Sequence, residues 1–476
     1  VINSTHSGIK ARRLIVASLI LVLAGFLLTG CSTYSERNAQ LRDDVARRDY
    51  ESALTVIEKA ERGSDRLLNL LEQGLVLHYA DRWLESNAVF QEAEELSDDL
   101  YTKSVSQAVV SLVTNDGAID YRAAPFEMAL VPYFRSLNYI ALGEKDEALV
   151  EARKAELRLR DLAVIEQNQG EDGDGPAVSL EDHAFIHYLR GMLHEWGGET
   201  NDAFLAYRRA AMSYQATGGK LKLTTPPWLG QDLTRTATWL GFEAELDEIA
   251  VVSPELLEGD QSSPDGVGRV VLFLETGWAP HRVSAEADIP IFSDDDRGDV
   301  DLWSVGLRHR YRYGWNRNVE VDYWLRFAMP ELIVEEPVVV GARLSTGTLG
   351  GLARTTRIES VAARSQLFYD RAAGKILLKT IGRALTKYMA QEAIEDKNEV
   401  AGLLANLFGA ATERADTRNW LTLPSGISMA RLVLPPGIYD LEVELVDARD
   451  RVVDVRMIEG VEVRADDWVF LSRRVF

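Results

Sequence analysis

The sequence predicts an α+β, multidomain protein: an N-terminal α-solenoid of helix hairpins, followed by a β-sandwich-like domain with a helical insertion. Three observations lead there. From about residue 43 to Tyr214, apolar residues recur three and four positions apart, the period of helices buried on one side. Thr224-Thr225-Pro226-Pro227 stops that pattern, and residues 251–268, rich in Pro, Gly, Asp and Ser, read as a linker. Beyond residue 268 the runs are short, Val-rich and partly alternating, as strands are. At 476 residues the chain is too long for one ordinary core, and at 46% hydrophobic and 26% charged it can bury a real interior.

Residues 1–30 read as a secretory leader. They hold Lys10, Arg12 and Arg13, no acidic residue, and an apolar run from Leu14 to Leu28. That run is shorter than the roughly 20 residues of a comfortable membrane-spanning helix. It closes on Leu28-Thr29-Gly30-Cys31, which contains the chain's lone cysteine. Thr29 and Gly30 are small enough to enter a peptidase groove, and the Cys31 thiol is the nucleophile that takes a diacylglycerol. The stretch resembles the lipobox of bacterial lipoproteins. The resemblance implies cleavage before Cys31 and a membrane anchor, with Ser32 in place of Asp directing the protein to the periplasmic face of the outer membrane. Each buried methylene adds about 0.8 kcal/mol, so stable anchoring takes more than one acyl chain. The alternative is an uncleaved N-terminal anchor with an idle cysteine. Residues 31–42 are polar and read as a tether.

The formal charge is −22, and removing the leader takes away three positive charges more. So acidic a surface argues against nucleic acid and against direct adhesion to anionic headgroups. One cysteine rules out an internal disulfide or a thiolate metal cluster.

Within 43–250 a spacing recurs: a small residue, another twelve positions on, an apolar or aromatic residue four later, and Ala three later. The sets are Gly191, Ala203, Tyr207, Ala210; Gly74, Ser86, Phe90, Ala93; Ser136, Ala148, Ala152, Ala155; and, more loosely, Leu41, Ala53, Ile57, Ala60. Each contains a polar break that reads as a turn: Arg48-Asp49, Asp81-Arg82, Gly143 to Asp146, and Gly197 to Thr200. Small residues let paired helices approach, and the aromatic fills the space beside them. The pattern resembles the tetratricopeptide repeat (TPR), with irregular spacing between units. A generic helical bundle with close alanine contacts is the alternative. Gln231 to Ile249 reads as an amphipathic cap.

In 269–476, strands are expected at Arg269–Glu275, Val319–Phe327, Leu332–Leu344, Ala430–Leu434, Tyr439–Val446, Val461–Val463 and Trp468–Leu471. A long helical stretch, Ile358 to Glu392, followed by Val400 to Leu407, interrupts them (about 358–408). An antiparallel sheet or sandwich with a packed helical insertion follows.

Few residues suggest chemistry. His183 and His187 are four apart on one helix, with His194 beyond, a spacing that can bind zinc. The metalloprotease Glu is missing, and structural histidines are the favoured reading. The acidic runs Ser293 to Asp301 and Glu171 to Asp174 lack the register of a calcium loop and read as solvated turns. Ser345 to Gly351 lacks the Lys of a phosphate loop. No Gly-x-Ser-x-Gly elbow occurs. In Ala415 to Pro424, Asp416, Arg418 and Trp420 form either a recognition patch or a brace. The brace is favoured, with Asp416 and Arg418 paired and Trp420 packed where helix passes to strand.

Over nearly its whole length the chain resembles a family of bacterial lipoproteins with tetratricopeptide-like repeats. The matching segments are the lipobox at Cys31, Tyr121 to Glu127, Asn138-Tyr139 with Ala148 to Arg153, Gly277 to Pro280, and Ala415 to Pro424 leading to Leu434-Pro435-Pro436-Gly437-Ile438-Tyr439. Genes of this family sit beside small lipoproteins that look like activators of penicillin-binding proteins. The resemblance therefore implies a role in cell-envelope assembly, and it brings no catalytic residues, metal or cofactor beyond the lipid on Cys31. The expected function is a non-catalytic scaffold with a protein partner on the helical repeats. The alternative is binding of glycan or peptidoglycan by the β-rich part, through Trp278, Trp303, Trp315 and Trp324.

Overall fold

The structure, a computed structural model, describes residues 33–60, 63–102, 119–169, 183–258, 264, 266–292, 321–347, 351–395 and 415–476. The leader, Leu28, Thr29, Gly30 and Cys31 lie outside the described residues, as do both acidic runs and the expected helix 400–407. The fold is mixed α/β, with helices first and strands after.

After a one-turn helix α1 (Tyr34–Arg37), helices α2 (Ala39–Ala46) and α3 (Tyr50–Ala60) pair, as do α4 (Arg66–Tyr79) and α5 (Trp83–Thr102). A short helix α6 (Pro125–Met128) precedes the pair α7 (Val131–Leu142) and α8 (Lys145–Gln169). Then come α9 (Ala184–Trp196) with α10 (Thr200–Leu221), and α11 (Leu229–Leu240) with α12 (Glu243–Val252). One kind of turn joins every pair. Arg48, Asp81, Gly143, Gly198 and Gly241 are left-handed, with φ of 60°, 58°, 76°, 79° and 71°. The residue after each donates its N–H to the carbonyl five positions back: Asp49 to Asp44, Arg82 to Leu77, Glu144 to Tyr139, Glu199 to His194, and Phe242 to Ala237, at 2.8–3.0 Å. This satisfies carbonyls that the ending helix leaves free. The chain reverses with no added loop.

The small residues sit where the helices of a pair touch. A Cβ on Gly74 would lie 2.7 Å from the Phe90 ring, and one on Gly191 would overlap the Tyr207 ring. Ala93, Ala148, Ala152, Ala155, Ala203 and Ala210 are buried. The Ser86 hydroxyl donates to the Gly74 carbonyl at 2.7 Å and accepts from Asn138 at 2.9 Å, and Asn138 in turn meets His78 Nδ1 at 2.6 Å. This buried polar chain crosses three helices.

Three sheets follow. The first, in the order β10 (Trp468–Val475), β1 (Gly268–Thr276), β7 (Gly426–Leu434) and β6 (Thr356–Glu359), is mixed. In it β10 runs parallel to β1, Arg269 beside Trp468, and β7 runs antiparallel. The second is the hairpin of β2 (His281–Phe292) and β3 (Val321–Ile333). The third runs β5 (Leu352–Arg354), β4 (Gly341–Ser345), β8 (Gly437–Val446) and β9 (Val452–Val463), all antiparallel. The long helix α13 (Val361–Glu395) stands between β6 and β7. Both faces of β1 are buried. Val270, Leu272 and Leu274 share a core with Leu441, Val443 and Leu445 of β8. Val271 and Phe273 belong to the core of the helices, with Phe134, Phe185 and Tyr133.

Some expectations need correcting. The tether is partly helix: Tyr34 in α1 and Leu41 in α2 are buried despite polar neighbours. Part of the expected linker is a 3-10 turn, Pro254–Leu257, with Leu256 buried. The cap is itself a hairpin, α11 and α12, closed by Gly241. The sheets are not all antiparallel, because the last strand enters beside the first.

Candidate functional site

The helical layer packs on the first sheet, and carboxylates buried between them hold the two together. A buried carboxylate is costly unless it is ionically paired or hydrogen-bonded. Here each one finds a partner across the boundary.

Residues 415–423 are seated among the first hairpins. Trp420 is fully buried, its ring centre 6.1 Å from that of Phe90 and 6.2 Å from that of Phe134. Its backbone N–H donates to Glu127 at 3.0 Å. Glu127 also accepts from the Tyr121 hydroxyl at 2.6 Å and from the Ala124 N–H at 2.7 Å. Glu72 of α4 accepts from the backbone N–H groups of Leu421 and Thr422, at 2.6 and 3.1 Å, and from the Thr422 hydroxyl. Two helix carboxylates thus bind the main chain of a turn that lies outside any strand. Burial, with the charge of Glu127 nearby, pushes Glu72 up to about 7, although its hydrogen bonds pull the other way.

Arg418 and Asp416 form a two-point pair, at 2.9 and 2.8 Å. Arg418 also reaches the carbonyls of Ser64 and Ile119, at 3.1 and 2.7 Å. It thereby ties this segment to the start of α4 and the entry to α6. The Arg418 pairing holds Asp416 below its ordinary value even though burial alone would raise it. Asn419 donates to the Pro280 carbonyl at 3.1 Å and accepts from the Arg282 N–H at 3.2 Å. Three segments singled out in the sequence, Tyr121 to Glu127, Gly277 to Pro280 and Ala415 to Pro424, therefore converge. Beside them is a cavity of about 90 Å³ whose lining includes Arg122, Glu127, Arg282, Phe368 and Trp420.

A second centre lies farther along the array. Asp232 of α11 accepts from the Tyr188 hydroxyl at 2.8 Å, from Arg235 at 2.6 Å, and from both terminal nitrogens of Arg431 on β7, at 2.7 and 2.8 Å. Burial alone would raise its pKa, but Arg431 and Arg235 override burial and hold it at about 2. Glu275 of β1 accepts from the Tyr79 and Tyr133 hydroxyls, at 2.6 and 2.8 Å. Glu359 of β6 accepts from Arg364 at 2.8 Å and lies 3.5 Å from His183.

The histidines do not form one centre. His183 faces Glu359, His187 contacts Arg190 at 3.2 Å, and His194 contacts Glu199 at 2.7 Å. The donors of His194, Glu199 and Asp202 do lie within 4.8 Å of one another, a set that can hold a cation, although Arg153 already pairs with Glu199. Of the tryptophans considered for glycan stacking, Trp303 and Trp315 fall outside the described residues, as does the side chain of Trp324. The Trp278 ring is engaged by Arg42 at 5.0 Å, Arg474 at 4.9 Å and Phe476 at 4.5 Å.

Sequence reasoning missed Glu72, Glu127, Asp232, Glu275 and Arg431. Their signal was a charged residue within an apolar stretch: Leu70-Leu71-Glu72, Asp232-Leu233, and Glu275 ending an apolar strand. No protein-family model matches this chain, and no curated protein matches it.

Proposed function

We propose that this chain is a non-catalytic scaffold in cell-envelope assembly, lipid-anchored through Cys31 on the periplasmic face of the outer membrane. A protein partner docks on the outer surface of its helical region. The repeated left-handed turn and the small-residue contacts support a TPR-like solenoid. The core shared by the two four-stranded sheets supports a β-sandwich-like domain.

One observation carries the reading. The inner side of the helices is filled by the protein's own strands and by residues 415–423, while apolar side chains stand exposed on the second helices of the pairs. They are Leu84 on α5, Leu157 on α8, Leu205 with Met212 on α10, and Val251 on α12. Leu205 and Met212 are seven apart and so share one helix face. Buried polar groups that are already satisfied hold a shape; exposed apolar ones invite contact. The glycan alternative draws no support from Trp278, whose ring is engaged within the protein.

Photo-crosslinkers placed singly at Leu205, Met212 and, in the β-rich part, Val338 would test this in intact envelopes. One partner should be captured from the two α10 positions. Capture from Val338 alone would defeat the proposal. The anchor is tested separately: mass spectrometry should find acylated Cys31 in the outer-membrane fraction. A bare Cys31 thiol, or intact chain in the cytosol, would overturn that part.

A further inference from the structure

Strand β9 (Val452–Val463) ends its sheet. It pairs with β8 on one side, and among the described residues no strand pairs with its other edge. The N–H of Val455 donates to the side chain of Asp454 at 2.9 Å instead of to β8. The main-chain groups of Val455 therefore point out of the sheet edge, and by the alternation of an antiparallel ladder so do those of Met457, whereas the register shifts at Val453, which lies between the paired Val452 and Asp454. An open edge of this kind is a template for another strand.

The side chains say which strand. Val455 lies opposite Glu444 and Met457 opposite Glu442, on the sheet face turned away from the core of Leu441, Val443 and Leu445. Val453, Val455 and Met457 are 46%, 49% and 51% exposed, an apolar stripe along the edge. Asp454 and Arg456 occupy the other face and pair with each other at 3.0 Å.

We propose that β9 docks antiparallel on β9 of a second copy, about a two-fold axis at Val455. In this register Val455 meets Val455 of the second copy, and Met457 faces the exposed Val453 where the register of β9 shifts. The outward-pointing main-chain groups of Val455 then have partners in the second copy. On the other face Asp454 meets Arg456 of the second copy, twice by symmetry. The neighbouring registers are blocked, since centring on Asp454 or on Arg456 sets like charges against each other, which destabilises a cross-strand pair. The contact is isologous and closes on itself, joining two four-stranded sheets into one across the axis. Asp454 must release the Val455 N–H on docking, so it covers the edge until the second copy arrives. None of this depends on the anchor or on a partner at the helices.

Sedimentation velocity of the full-length protein in detergent, over a rising concentration series, tests the assignment. The unaltered protein should pass from monomer to dimer. Asp454→Arg alone and Arg456→Asp alone each create two repulsive pairs and should weaken association about tenfold. The two together restore opposite charges and should restore the dimer. Val455→Pro removes an N–H that β8 does not use, so it should abolish the dimer while leaving the far-ultraviolet circular dichroism unchanged. A protein that stays monomeric throughout overturns the proposal. So does a double variant no better than the single ones, or a dimer that survives Val455→Pro.

Discussion

Asp232→Asn should destabilise the protein by about 3–5 kcal/mol, the usual cost of removing one partner from a buried ion pair. Asparagine keeps one acceptor oxygen and loses the charge. Arg235 still holds Glu195 through two bonds of 2.7 Å. Beyond that one amide oxygen, Arg431 keeps the Tyr188 hydroxyl at 3.0 Å and the rings of Trp468 and Trp228, at 4.8 and 5.9 Å. The cost therefore falls on a fully buried guanidinium with no carboxylate. A floor comes from the acid itself: at about 2 against an ordinary 3.8, Asp232 contributes about 2 kcal/mol through its charge alone. That contribution is whole above pH 3.8 and is lost as pH falls toward about 2. The variant should lack this limb. Guanidinium unfolding, followed by helix dichroism and by tryptophan fluorescence, gives the measurement. Because Asp232 is on a helix and Arg431 on β7, both signals should shift together. Arg431→Met added to Asp232→Asn should recover most of the loss, with a coupling of about 2 kcal/mol or more. A loss below about 1 kcal/mol, or a shift confined to the helical signal, would refute the claim that helices and sheet unfold as one body.

Two further outcomes are expected. Gly191→Ala forces a methyl against the Tyr207 ring and should cost about 1–3 kcal/mol. Gly219→Ala, with open space around it on α10, should be neutral or stabilising by up to about 1 kcal/mol; thermal unfolding showing equal effects would contradict the close-approach role of Gly191. Burial pushes Glu72 up to about 7 against 4.5, so the folded protein keeps a proton there that the unfolded chain has lost. Its stabilising contribution is whole below pH 4.5 and falls as pH rises through about 7, by about 3 kcal/mol in all. In a pH series of urea midpoints Glu72→Gln should flatten that decline, and an unchanged slope counts against the assignment.

What the sequence made legible was local. A small residue, a polar break and an aromatic lie within one hairpin, so Gly74 with Phe90 and Gly191 with Tyr207 could be read as contacts from spacing alone. So could β1, an unbroken apolar run of the kind that is buried on both faces. The second buried face of β1 should have warned that something covers it, and the helices do. What stayed hidden was long-range. Arg418 reaches residues more than 290 positions away, and Glu72 meets a main chain about 350 positions on. No periodicity announces such contacts in a chain with 74 acidic residues. The tether was misread for the reverse reason: two buried side chains, Tyr34 and Leu41, were outvoted by polar neighbours. That error has a physical consequence. Thr33, two residues after Cys31 in the sequence, is already buried. An acyl chain on Cys31 would therefore hold the body against the bilayer instead of letting it range. Ser35 bonds Thr417, and Arg37 bonds Asp65, which in turn contacts Arg418. If Cys31 carries the proposed lipid, the segment beside residues 415–423 is the described part nearest to it in the chain, and lipid-phase quenchers should reach the start of α1 before they reach α10.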